Sequence, residues 1–164
     1  MIDARAMAWR HLFAAGTAFT TESGPEYFRH AIDMLGTGQQ DQVLVSWGQA
    51  PQELPDLSAR SGIVAINSRG LKPRHLQAAG FTYVRRFAVL PRLDDARWFI
   101  PLGNAGVSAA AFRLYSPYRA VARLKHHGVR VAARSGLPVW YLDHVIVAQR
   151  SAPPLELALR SALI

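Results

Sequence analysis

Five basic residues, Arg119, Arg123, His127, Arg130 and Arg134, recur at intervals of four, four, three and four. These intervals follow the turn of an α-helix, so on one continuous helix the five share a face. Such a face suits a phosphate, a nucleic-acid backbone or an anionic bilayer surface, and plain solvation equally well. They are the anion-binding candidates of the chain, and Gly128 would break the stripe if it ended the helix. Arg85, Arg86, Arg92 and Arg97 surround the aromatic residues Phe87 and Trp98. Arginine interleaved with aromatics binds single strands by charge and stacking, although aromatics in a core with arginines outside leave the same pattern.

Other groupings that carry chemistry are weak or missing. There is no cysteine, which removes disulfides, thiolate nucleophiles and zinc–thiolate sites. Ser46, Ser58 and Ser61 lie outside any Gly-x-Ser-x-Gly context, and neither a phosphate-cradling loop of the Walker type nor a metalloprotease signature occurs. Asp143 and His144 are adjacent on an expected strand and point to opposite faces, so each would need a distant partner such as His30 or His75. His126 and His127 diverge by about 100° on a helix, a poor arrangement for a metal. No catalytic residue and no metal site is assigned.

The net charge of +8 is unevenly placed. Residues 1–80 hold seven basic and seven acidic residues, whereas residues 81–164 hold twelve and four. An anionic partner on one side of the fold would explain this, as would an arginine-rich coding background. The 164 residues, half of them apolar, suffice for one domain with a real core. The N-terminus lacks the pattern of a signal peptide, and no apolar run reaches the length of a membrane span. With the lack of cysteine, this favours a cytoplasmic setting.

The elements that must position these residues read as follows. Residues 3–15 look helical, with Met7, Trp9, Leu12 and Phe13 on one side, and residues 17–24 look like a loop. A second helix begins near Pro25, which suits a first helical turn, and carries Tyr27, Phe28, Ala31, Ile32 and Leu35 at helical spacing. Residues 41–47 and 63–66 are continuously apolar at their centres, which predicts adjacent parallel strands buried on both faces. Residues 48–61 form a loop with one helical turn. A short helix at 71–79 stops at Gly80, and strands follow at 82–90 and 97–102. Helices are expected at 107–115 and from Ser116-Pro117, the latter with Tyr118, Val121 and Leu124 opposite the basic stripe. A last strand covers 139–148. After Pro153-Pro154, a closing helix with Leu155, Leu157, Leu159, Leu163 and Ile164 is apolar enough to dock onto something.

Read in order, Asp41-Gln-Val-Leu-Val-Ser-Trp47, Gly62-Ile-Val-Ala-Ile-Asn67 and the stretch from Leu76 through Ala-Ala-Gly-Phe to Pro91 resemble the second half of a class I S-adenosylmethionine-dependent methyltransferase. The first two resemble that family's fourth and fifth strands, and the third its next helix, turn and strand. The segment Arg97-Trp-Phe-Ile-Pro-Leu102 is similar to bacterial members that sit beside glycan biosynthesis enzymes or phosphotransferase-like domains. The resemblance covers a third to a half of the chain. It implies a cofactor loop rich in glycine after the first strand and an acidic residue ending the second. Here about 40 residues precede the strand likened to the fourth, and they read as two helices. The candidate glycine loop, Leu35-Gly-Thr-Gly38, follows a helix and precedes a strand, the reverse of the required order.

The expectation is therefore a single α/β domain, residues 1–164, with a mostly parallel sheet, an antiparallel edge hairpin and helices packed on it. The architecture is an incomplete, Rossmann-like methyltransferase fold. Its parts are a helical segment at 1–40, an α/β core at 41–102, and a basic helical segment, last strand and closing helix at 103–164. The expected role is a non-catalytic accessory or protein-interaction module beside a partner enzyme, with a protein partner or a second copy and no cofactor of its own. The alternatives are a reduced or partner-completed methyltransferase, using S-adenosylmethionine on a small-molecule or glycan-related substrate, and a basic domain that binds a membrane surface or nucleic acid.

Overall fold

In a computed structural model the described residues are 9–10, 12–13, 16–35, 40–90, 92–93, 98–102, 120–121, 123–124, 127–128, 131 and 143–152. They build one six-stranded sheet in the order β1-β2-β3-β6-β4-β5. The strands are β1 (Thr17–Thr21), β2 (Gln40–Trp47), β3 (Gly62–Ile66), β4 (Tyr83–Leu90), β5 (Trp98–Leu102) and β6 (His144–Gln149), with helices α1 (Glu26–Leu35) and α2 (Pro73–Ala78). Strands β1, β2 and β3 pair in parallel, while β6 is antiparallel to both β3 and β4, so the sheet is mixed rather than mostly parallel as expected. Strand β4 thus runs with the first three, and β5 returns antiparallel to it as the expected edge hairpin.

The two continuous apolar runs behave as their composition requires. β3 is fully buried, Val43 to Ser46 of β2 are buried, and Val45 lies opposite Val64 in register. Alternation along each strand then divides the core into two layers. Val43, Val45, Val64, Ile66, Phe87, Val89, Val145 and Val147 face Phe28 and Ile32 of α1, with Trp9, Leu12 and Phe13. Leu44, Ile63, Ala65, Ile146 and Ala148 face Leu71, Leu76 and Phe81 around α2. Each fully buried large aliphatic side chain contributes about 1.5–3 kcal/mol, so these two layers dominate stability. The connections β1–β2 and β3–β4 advance the same way across the sheet, yet α1 and α2 lie on opposite faces. The two crossovers therefore have opposite hand, although such connections are nearly always right-handed.

Several expectations are corrected. Residues 17–24 are not all loop: Thr17–Thr21 form β1, with Phe19 set edge-on against Trp9 and Phe13 at 5.3 and 5.5 Å between ring centres. The segment 1–40 is accordingly not purely helical. β-Branched threonines favour a strand, but with one large apolar side chain the segment shows no alternating pattern. Within the expected helix at 3–15, Trp9, Arg10 and Leu12 form a 3-10 turn, with the Phe13 N–H donating to the Arg10 carbonyl at 3.1 Å. Trp9, Leu12 and Phe13 are buried as expected, and Met7 lies outside the described residues. Tyr27, expected on the apolar side of α1, is 56% exposed. The last strand begins at His144 rather than residue 139, and residues 139–142 lie outside the described set. The 3-10 turn Pro51–Glu53 supplies the helical turn expected between β2 and β3.

In the basic segment, Ala120, Val121, Arg123, Leu124, His127, Gly128 and Val131 are helical; residues 122, 125, 126, 129 and 130 lie outside the described residues. Val121 and Leu124, expected on the side opposite the basic stripe, are 82% and 77% exposed. The helix expected at 107–115 and the closing helix from 155 lie outside the described residues.

Candidate functional site

Because β6 runs against its neighbours, its start lies beside the carboxyl ends of β2, β3 and β4. Open α/β sheets bind ligands at this end, where loops leave the strands and helices have not yet begun. A cleft of about 1070 Å³ opens there, walled by Trp47 from the end of β2, the loop Asn67 to Lys72 after β3, Arg86 of β4, and Asp143 and His144 at the start of β6.

The wall is built by backbone turns that these residue types permit. Gly48 has φ +69°, and its N–H donates to the Ile66 carbonyl at 2.8 Å, tying together the ends of β2 and β3. Among the described residues, Asn67 is the non-glycine residue with positive φ, at +48°. Asparagine tolerates this left-handed region, and here its side chain uses it fully. The Asn67 Nδ2 donates to Asp143 Oδ1 at 2.8 Å, and Asn67 Oδ1 accepts from the His144 N–H at 2.8 Å. The Asn67 N–H donates to the His144 carbonyl at 2.9 Å. Asp143 Oδ2 accepts from the Leu93 N–H at 2.6 Å, which anchors the turn after β4. Both oxygens of this carboxylate are thus held by donors inside the wall. At the opposite rim, Glu53 Oε2 accepts from the Ala50 N–H at 2.7 Å.

The remaining polar groups are less committed. Ser68 is 2% exposed, and its hydroxyl has no hydrogen-bond partner. Arg86 is half-buried, with its Nε buried and likewise unpartnered. Arg69 and Lys72 are exposed at the rim. The His144 ring nitrogen Nε2 lies 3.4 Å from the Ser68 carbonyl. Away from the cleft, hydrogen bonds from the Ser58 N–H and hydroxyl lower the pKa of the Asp56 carboxyl; this pair lies in an exposed loop.

Arg123 and His127 are exposed and lie outside the cleft wall; Arg119, Arg130 and Arg134 lie outside the described residues. Arg85 and Arg86, adjacent on β4, point to opposite faces, and only Arg86 enters the cleft. Arg92 is exposed, and Arg97 and His126 lie outside the described residues. Asp143 and His144 do reach a shared site, but through Asn67 and Ser68 rather than His30 or His75. His75 instead accepts from the Lys72 N–H through Nδ1, and His30 is exposed on α1. Sequence reasoning missed Asn67, Ser68, Arg69 and Lys72. The available signal was a polar Asn-Ser-Arg-Gly turn directly after a fully apolar strand.

Residues 36–38 of the candidate glycine loop lie outside the described residues. A different turn, Glu22 to Pro25, follows β1 and leads into α1. It contains a single glycine, Gly24 at φ +104°. A Cβ placed there would sit 3.0 Å from the Phe28 ring and 3.1 Å from Trp47 Cβ. The Ser23 hydroxyl accepts from the Trp47 N–H at 2.8 Å, so this turn is folded down onto the end of β2. No protein-family model matches the chain, and no curated protein or solved structure matches it significantly.

Proposed function

We propose that the chain is a non-catalytic, methyltransferase-like accessory module that acts beside a partner polypeptide. The observation that carries this reading is the closed turn after β1. A cofactor-binding turn of this class needs glycines so that the ligand can come close to the backbone at the end of the first strand. At Gly24 that approach is taken by the Phe28 and Trp47 side chains, whose rings lie 4.6 Å apart. The residues present therefore do not fit S-adenosylmethionine at this turn. Partner docking is supported by Tyr27 and Met34, seven positions apart on α1 and 56% and 73% exposed, and by Val121 and Leu124.

A second reading is a reduced or partner-completed methyltransferase, favoured by the open cleft at the carboxyl ends of β2, β3 and β4. Calorimetry with S-adenosylmethionine separates the two. The accessory reading expects no saturable heat and no thermal shift at millimolar cofactor. Saturable binding by the chain alone would overturn it.

A further inference from the structure

We infer that the cleft holds a small organic phosphate, with its phosphate group on Ser68, Lys72 and Arg86 and its body against Trp47. The inference is independent of whether the module has a catalytic partner.

Ser68 and Arg86 are its foundation. A serine hydroxyl that is almost completely buried normally finds a partner, because desolvation without a hydrogen bond is costly. Ser68 has none, and neither has the buried Nε of Arg86; both residues line this cleft. A hydroxyl donor and a guanidinium fork suit the oxygens of a tetrahedral dianion. Lys72 and Arg69 add two further cationic side chains at the rim.

The local charge balance agrees. The two carboxylates of the wall, Asp143 and Glu53, already accept hydrogen bonds, Asp143 from Asn67 and Leu93, and Glu53 from Ala50. Arg69, Lys72 and Arg86 line the same cleft, so its cationic side chains outnumber its carboxylates. The cleft has room for more than an inorganic ion. A cleft of about 1070 Å³ lies just above the usual range of about 300–1,000 Å³ for small-molecule sites. Its apolar wall, Trp47 and Leu71, offers surface for an organic body beside the charged end.

Titration calorimetry at fixed ionic strength, with adenosine monophosphate, ribose 5-phosphate, inorganic phosphate and adenosine as probes, tests this. At least one of the two phosphate esters should bind saturably at one site, with inorganic phosphate weaker. Adenosine should bind at least about tenfold more weakly than its monophosphate, since a charged hydrogen bond is worth about that factor or more. Arg86→Gln should weaken ester binding about tenfold and Lys72→Gln several-fold, whereas Arg29→Gln on α1 should leave it unchanged. Ser68→Ala should weaken binding while leaving the melting temperature equal or higher, because an unpaired hydroxyl is removed. Lys72 is exposed, so its variant reports on binding without risk to the fold. The inference fails if neither ester binds, if adenosine binds as well as its monophosphate, or if Arg29→Gln weakens binding as much as Lys72→Gln.

Discussion

Replacing Arg150 with alanine should loosen the α2 side of the sheet. Its guanidinium donates to the carbonyls of Arg60 at 2.8 Å, Leu57 at 2.9 Å, Gly80 at 3.2 Å and Ser58 at 3.4 Å. It also lies 4.7 Å over the Phe81 ring. One side chain thus clamps the β2–β3 connection to the turn after α2. The two short bonds are charged and half-solvated, worth about 1.5 kcal/mol each, and the ring contact adds about 0.5 kcal/mol. Freeing the arginine returns about 1 kcal/mol of side-chain entropy, leaving a loss of about 2–3 kcal/mol. For a chain of this length each kcal/mol moves the melting point by about 2–4 °C, so a fall of roughly 5–10 °C is expected. Urea denaturation should show a lower midpoint at unchanged slope. Arg150→Lys should recover less than half, because a point charge cannot span the separated carbonyls. An alanine variant within about 0.5 kcal/mol of the parent, or a lysine variant equal to it, would refute the clamp.

Val64→Asp, or Val45→Asp opposite it, should abolish cooperative unfolding, since an unpaired buried charge costs several kcal/mol; far-UV circular dichroism during a melt is the check. Asn67→Ala should lose about 3 kcal/mol in a denaturant titration, from two side-chain hydrogen bonds and a left-handed backbone, while Asn67→Gly should lose about 1 kcal/mol less. Equal losses would remove the backbone argument. In the basic segment Arg123 and His127 are exposed, as are Val121 and Leu124, and the anionic surface expected from the sequence is tested with lipid vesicles. Vesicle binding should weaken with salt and fall by about 1 kcal/mol per arginine when Arg119, Arg123, Arg130 and Arg134 become Gln. Equal binding by parent and variant would reduce the stripe to a solvated face.

Much of the core was legible because it is written locally. Val43 to Val45 and Ile63 to Ile66 are apolar without interruption, and only strands buried on both faces need that pattern. β1 was illegible for the opposite reason: its burial comes from Trp9 and Phe13, which local pattern does not bring to Phe19. The insertion of β6 between β3 and β4 is likewise a property of long-range pairing. Asn67 and Asp143 are 76 positions apart, and nothing in either neighbourhood names the other. The cleft shared this fate. Ser68 and Lys72 are ordinary loop residues in the sequence, and what distinguishes Ser68 is burial without a partner, which exists only once the sheet is assembled.

The two outer strands differ in a way that bears on growth of the sheet. β5 contains Pro101, paired with Phe87, and proline has no N–H to offer a further strand. β1 is short but free of proline, and its five residues carry a full set of donors. Any strand added from a second chain would therefore find a broken ladder beyond β5, a break that the sequence of β1 does not carry. Self-association by strand addition, if it occurs, would be one-sided: two copies meeting β1 to β1 would close the edge on themselves. The proline side would remain a terminus, and a fibre would have no second edge from which to continue.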